Sequence, residues 1–437
     1  MSNTTSVAPN SLSSPLQLDN VKAWIVIISA SLFFFYEFVQ MNMFNTINTD
    51  LMRAFDLTAT QISNISAFYF YADVIFLFPA GIILDHFSTR KVIVTALTVC
   101  TLATVALSFV NSYQWMAAMR ALSGMGAAFC FLSAMRLATR WFSSKHLALV
   151  AGVIVTMAML GGMVAQTPLA ILNREFGWRH TILFDGLLGI VFIAIILWQV
   201  RDFPPGSHEL EHSEKVLHKM GFWHSVFSAW QNPQNWLAGL YTSFLNLPIL
   251  VIGALWGAQF LKQVHHLNAE QAGTISMMLF LGTIIGSPVL GWISDAMKKR
   301  KRPMIICAIL SIIVVLAIMY LPGLNFWMLL ILFLLLGFIT SVQIISYPLI
   351  AESNPNALTG TAVGWAAVLI MGGGAFGQPL FGWLLDKHWS GSKIHGIPFY
   401  SAADYHFAWM LFPIMFAIAL FITFFIRETN GQPLLED

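Results

Sequence analysis

Among the ionisable side chains that stand inside otherwise apolar stretches of this chain are Glu37, Asp73 and Arg120. A charge in hydrocarbon costs several kcal/mol unless it is paired or faces water, so each is a candidate for chemistry. What a carboxylate and a guanidinium can do there is exchange protons and capture a charged solute. At 1.5 Å per residue, Glu37 lies about 12 Å and Arg120 about 9 Å below the same surface, with Asp73 about 18 Å deep. Glu37 and Arg120 therefore share a layer. They are expected to form an ion pair that opens when the carboxylate takes up a proton or when a solute carboxylate takes the arginine. Tyr69, one helical turn before Asp73, can hydrogen-bond its carboxylate. Asp185, about 10 Å deep, is expected to pair with Arg179 or His180 at the mouth.

The remaining polar groups at membrane depth suit solute binding: Tyr36, Gln40, Tyr69, Arg120 and Gln166 in the first half, and Tyr241, Asn246, Gln343, Tyr347, Trp365 and Gln378 in the second. The second half has almost no charge within its apolar runs. The first half is thus expected to handle charge and protons, the second to grip solute by hydrogen bonds and aromatic contact. A zwitterion suits this set, its carboxylate on Arg120 and its amine on Glu37 or Asp73. For Gln166 and Gln378, bonding between helices is an equal alternative. His208, His212, His218 and His224 lack the acid or cysteine that would complete a metal set. Cys100, Cys130 and Cys307 read as small buried hydrophobes. No cofactor, metal or catalytic cluster is expected, and without a glycine-rich phosphate loop the chain has no ATP-driven engine.

The elements that position these residues follow from composition. Of 437 residues 57% are apolar and 10% charged, against roughly a quarter charged in a soluble domain. Runs of about 20 apolar residues span ~30 Å of hydrocarbon as helices, and strict alternation, the mark of a barrel, is missing. The prediction is an all-α integral membrane protein with twelve transmembrane helices in two pseudo-symmetric six-helix bundles, the first helix running from 22 to 45. Residues 1–21 read as a disordered cytoplasmic tail, 22–200 as the N-terminal bundle, 201–234 as a cytoplasmic linker with an amphipathic helix, 235–427 as the C-terminal bundle and 428–437 as a cytoplasmic tail. Loops and tails on the side of the termini hold 15 Lys and Arg against six opposite, which places both termini in the cytoplasm by the positive-inside rule. The basic residues sit in short hinges, so nucleic acid is not a partner.

An internal repeat supports six plus six. Gly81 and Gly291, like Asp85 and Asp295, are 210 residues apart; Gly152 and Gly364, Gly161 and Gly373, and Gln166 and Gln378 are 212 apart. In both hinges a glycine is followed by an acid and then a basic cluster, Arg90 and Lys91 or Lys298 to Arg302.

With these landmarks the chain resembles a major facilitator superfamily transporter from Lys22 onward. Gly81, Asp85, Arg90 and Lys91 match that family's loop 2-3 motif, and Arg120, Gly124 and Gly126 its fourth-helix motif. The fifth-helix motif is matched at Gly152 and Gly161 alone. Ala165-Gln166 stands for its Gly-Pro and Leu169-Ala170 for its terminal glycine pair, which argues against drug-proton antiport. The first-helix stretch from Tyr36 to Asn45 resembles the phagosomal-transporter branch of intracellular bacteria, whose members import amino acids or related nutrients. The resemblance implies alternating access around a midplane site. The expected activity is proton-coupled symport of a small polar nutrient, such as an amino acid or short peptide, by a monomer in a bacterial inner membrane. An exporter of a drug or siderophore is the alternative, and a membrane receptor or enzyme the non-transport one. Gly81, Asp85, Arg90, Arg136, Arg140, Gly291 and Asp295 are expected to form a conformational latch. In it Asp85 faces the start of the eleventh helix near Thr359, with Arg136 or Arg140 as a second partner, and Asp295 faces the start of the fifth near Leu147.

Overall fold

The computed structural model describes residues 20–143, 146–205, 222–355, 358–394 and 396–432, with backbone alone for Asn20, Asp85, Ala148 and residues 222–225. The first tail, the charged part of the linker with His208, His212 and His218, and the last five residues lie outside them.

Eleven helices are long and apolar enough to cross a membrane, and one of these, Leu149–Gln199, runs for 51 residues. Gly177 breaks it with φ 75° and ψ 164°, a conformation that favours glycine. The chain therefore makes twelve crossings, in two bundles of six. The first comprises Asn20–Asn42 and Phe44–Phe55 as one interrupted span, Ala59–His86, Thr89–Ser108, Tyr113–Ala127 continued by Cys130–Trp141, Leu147–Val164 continued by the start of Thr167–Gln199, and the remainder of that helix. The second comprises Pro233–Leu247 through the π-helical Pro248–Trp256 to Gly257–Val264, then Ala269–Met297, Lys301–Tyr320, Phe326–Thr340 continued to Ser346–Glu352, Thr359–His388, and Ala402–Trp409 with Leu411–Phe425. A short hairpin, β1 (Lys393–Ile394) and β2 (Ile397–Pro398), precedes the last span. In the linker the expected amphipathic helix runs from Phe222 to Gln231.

The first span continues ten residues beyond the expected end at 45, because the polar residues that stop its hydropathy, Asn45 and Asn48, are fully buried against other helices. Capping fixes where the spans begin. Thr58 with Gln61 and Asn268 with Gln271 form capping boxes, each satisfying N–H groups that a helix start leaves open. They lie 210 residues apart.

The same duplication governs packing. A Cβ on Gly124 would fall 1.9 Å from the Tyr69 carbonyl oxygen, and one on Gly337 2.1 Å from that of Leu279. The fourth span thus meets the second, and the tenth the eighth, at backbone distance, which small residues permit in membranes. Gly161 meets the Phe35 carbonyl oxygen at 2.1 Å from an added Cβ, and at its repeat partner Gly373 the Ser243 hydroxyl lies at 2.5 Å.

On the face carrying the hinges, termed the basic face below, each half is stapled by an acid just past its last span. Asp202 accepts from the Arg90 N–H at 2.7 Å and from the Ser88 hydroxyl. Glu428 accepts from the Arg300 N–H at 2.7 Å and the Lys301 N–H at 3.1 Å. Partial burial pushes the Glu428 carboxyl up, but the N–H groups of Arg300, Lys301 and Asn430 outweigh it and hold it below its ordinary value. Arg300 bonds Asp295 at 2.5 Å and Glu352 at 2.6 Å.

Candidate functional site

Glu37, Tyr69 and Arg120 meet in the core of the first bundle. Glu37 is 1% exposed and Arg120 fully buried. The Tyr69 hydroxyl donates to Glu37 Oε2 at 3.2 Å, and its ring lies 4.7 Å from the Arg120 guanidinium, which the Phe44 ring faces at 4.4 Å on another side. Arg120 Nη1 donates to the Gln40 carbonyl at 2.8 Å. Glu37 Oε1 and Arg120 Nε and Nη2 are enclosed without hydrogen-bond partners. The expected shared layer is present, but the direct ion pair is not: Tyr69 stands between the two charges, donating to one and offering its π face to the other. Tyr69 was expected to serve Asp73. Among the described residues Asp73, 5% exposed, has no hydrogen bond or ion pair.

Other expected positions separate into two groups. Asn246 and Gln343 bond each other at 3.0 Å and stay half-buried. Tyr347 is half-buried as well. The Trp365 ring packs on Trp236 at 4.9 Å and on Phe78 of the other half at 6.1 Å, its N–H unpaired. All four are only half-buried.

The second group does not line an opening. Tyr36 is fully buried with its hydroxyl unpaired and packs edge-on against Phe192 of the sixth span. Gln40 donates to Asp185 Oδ2 and accepts from the Thr104 hydroxyl at 2.9 Å. This corrects the expected partners of Asp185, since Arg179 instead binds the Ser108 carbonyl and Asn111 at 2.7 Å each. Tyr241 donates to the Met304 carbonyl at 2.8 Å inside its own half. Gln378 donates to Leu250 at 2.7 Å, the bonding between helices held as the alternative. Gln166 bonds Gly253 of the other half at 3.0 Å and accepts from Asn45 at 2.6 Å.

Gln166 belongs to a seal that sequence reading missed. On the face opposite the basic one, Ala258 N–H donates to Asn45 at 2.9 Å, Lys262 to Thr49 at 2.8 Å, and the Trp256 indole to Ser63 at 3.1 Å, all between halves. Asp386 caps the second span, accepting from Ala59 N–H at 3.1 Å and Thr60 N–H at 2.8 Å, with the Tyr400 hydroxyl on the same carboxylate at 2.8 Å. Arg174 pairs with Glu270. Deeper, a Cβ on Gly162 would meet the Phe280 ring at 2.4 Å, and one on Gly374 the Phe70 ring at 2.8 Å. The repeat could have revealed it: Arg174 and Asp386 are 212 residues apart, Thr60 and Glu270 are 210, and Phe70 and Phe280 are 210.

The basic face is the reverse. At Gly81, Gly152, Gly291 and Gly364 nothing lies within 4 Å of an added Cβ. The latch contact expected of Asp295 with the fifth helix is replaced by its bond to Arg300 in the same half. Arg90 is held by Asp202 and the Leu197 carbonyl. Arg140 bonds Thr89 at 3.0 Å and lies over Phe203 at 4.4 Å. The Asp85 side chain, with any contact to Arg136, lies outside the described ones. The bonds between halves named above thus gather on one face, while on the other these four glycines face open space.

The sequence profile described as Major Facilitator Superfamily matches residues 30–377 and 242–435. The chain belongs to that superfamily. It is a multi-pass secondary transporter and not an enzyme. It is similar to an uncharacterized transporter YybO of Bacillus subtilis, 24% identical over 58% of this chain and 60% of that protein, so the match spans about three fifths of that relative. It is also similar to the phosphoglycerate transporter protein of Salmonella typhimurium, 24% identical over 83% of this chain and 82% of the relative. Among solved structures, a bacterial homolog of the human lysosomal transporter Spinster, in an inward-facing and unoccupied conformation, superposes with a TM-score of 0.74 at 16% identity, covering 93% of this chain and 97% of that one.

Proposed function

We propose that this transporter is a proton-coupled symporter importing a small polar solute that bears a carboxylate or phosphate, across a bacterial inner membrane with both termini in the cytoplasm. The observation that carries the reading is Arg120: a guanidinium fully buried in the first bundle with two nitrogens unpaired. An unsatisfied buried charge is costly, and an anionic solute group meets that demand through forked hydrogen bonds. Phosphoglycerate, carried by one relative, has both kinds of group, and an amino acid or short peptide has the carboxylate. Glu37, one tyrosine away with a free oxygen, is the proton carrier in this reading, and Asp73 the second. Asn246, Gln343, Tyr347 and Trp365 of the other half complete the grip. With the basic face cytoplasmic, the conformation is inward-open, and Asp85 is proposed to engage the eleventh helix when the halves close on that side.

Uptake into proteoliposomes of labelled amino acids, dipeptides, phosphoglycerate and sugar acids, with an imposed inward proton gradient, tests this. Gradient-stimulated accumulation of at least one anionic or zwitterionic member is expected. Accumulation of none, or of neutral solutes alone, overturns it.

A further inference from the structure

Behind Arg120, on the side away from the second half, lies a buried polar cluster for which the import reading gives no use. Asp185 in the sixth span is 5% exposed. Its Oδ2 accepts from Gln40 Nε2, while its Oδ1 is enclosed without a partner. The Tyr36 and Thr101 hydroxyls are likewise enclosed and unpaired. Both converge on the sixth span one turn past Asp185, where a Cβ on Gly189 would lie 2.4 Å from Thr101 Oγ1 and 2.9 Å from Tyr36 Oη. Three helices thus bring three unpaired oxygens together in an apolar bundle.

Gln40 links this cluster to the first site. Its side chain is held at both ends, by Asp185 and by Thr104 at 2.9 Å, and its backbone carbonyl accepts from Arg120 at 2.8 Å. Three residues on, the first span is interrupted at Met43 between its two helices. Whatever fixes Gln40 therefore fixes the place where the sealing helix Phe44–Phe55 departs. The groups facing Asp185 are Tyr36 and Gln40 from the first span and Thr101 and Thr104 from the third. Glu37 and Cys100 also act electrostatically on Tyr36, Arg120 bonds the Gln40 carbonyl, and among the described residues Asp185 has no ion pair with a cation.

We propose that Asp185 is a further proton-carrying carboxyl, beside Glu37 and Asp73, and acts as a positioning residue, its charge setting through Gln40 how firmly the first span is held beside Arg120. This rests on the proton-coupled reading above. Proton uptake forms an O–H bond on Oδ1 and removes the negative charge. The Gln40 bond to Oδ2 then changes from charge-assisted to neutral, roughly half as strong. The new O–H finds acceptors in hydroxyls that otherwise lack partners. Release breaks that O–H bond, returns the proton to water and restores the firmer hold.

The test is infrared difference spectroscopy of the full chain in lipid, between acidic and alkaline buffer and with no solute present. A carboxyl band that titrates in the wild type is expected to vanish in Asp185→Asn and survive in Glu37→Gln. Its midpoint is expected to move by about one pH unit or more in Gln40→Leu, the size of one hydrogen bond to a charged group. Thr101→Val, which leaves both Gln40 bonds intact, is a second probe of the same midpoint should Asp185→Asn misfold. A wild-type band unaffected by Asp185→Asn, or midpoints unmoved in both Gln40→Leu and Thr101→Val, overturns the proposal. If that band titrates as expected while no solute shows gradient-stimulated uptake, symport fails and Asp185 stands as a proton site. The opposite pattern sinks Asp185 alone.

Discussion

Tyr69 does two jobs with two parts of one side chain: its hydroxyl serves Glu37 and its ring serves Arg120. Tyr69→Phe separates them, deleting a hydrogen bond to a carboxylate, worth about 1.5–3 kcal/mol, while keeping the π face. Proton-driven accumulation should fall about tenfold or more, with solute-solute exchange little changed. Arg120→Lys should depress both in the same assays, since an ammonium neither forks onto an anion nor stacks between rings. Glu37→Gln should abolish accumulation against the proton gradient yet preserve counterflow exchange, because the amide keeps the shape and loses the proton. If accumulation survives in Glu37→Gln, Asp73 becomes the better carrier than Glu37. The sequence showed that Glu37 and Arg120 share a depth, because depth follows from a fixed rise per residue. It could not show the aromatic between them, because rotation about the helix axis brings Tyr69 into that gap only once the second and fourth spans touch at Gly124.

At the scale of elements, the glycines fall into two physical classes that look alike in the sequence. Gly124 and Gly161 meet backbone oxygens at 1.9 and 2.1 Å from an added Cβ, whereas Gly152 and Gly364 meet nothing. Gly124→Ala should cost about 1–3 kcal/mol, the usual penalty of overpacking, read as a lower melting temperature in detergent. Gly364→Ala should melt as the wild type does. The seal opposite the basic face makes a separate prediction. Asp386 caps the second span from the other half with a charge-assisted pair of bonds, favoured by the positive helix start. Asp386→Asn should weaken that hold by about 1.5 kcal/mol, roughly tenfold in the closed-to-open ratio. A cysteine introduced at Asn48 should then react several-fold faster with a membrane-impermeant maleimide. Unchanged labelling would mean that the remaining bonds between halves carry the seal.

For the whole molecule, one repeat supplies a seal on one face and, in the reading proposed above, a latch on the other. The structure has the first engaged through pairs such as Phe70 with Gly374 and Phe280 with Gly162, while Gly81 and Gly291 face open space. If the hinge is the complementary latch, Asp85→Asn should slow turnover far more than it weakens solute affinity, measured as kcat against KM for uptake. Turnover unchanged in that variant leaves the hinge a marker of topology. The twelve spans, their duplication and the basic face were legible in the chain itself, because hydrophobic length, charge asymmetry and a 210-residue offset are properties of the linear sequence. Which polar residues face the interior opening was decided only by tertiary packing. Tyr36, Gln40, Gln166, Tyr241 and Gln378 have the right type and depth, yet each is turned into a bond or an enclosure between helices. In hydrocarbon a polar side chain must find a partner wherever its helix face points, and that direction is set by how the neighbouring spans pack, not by the residue's place along its own helix.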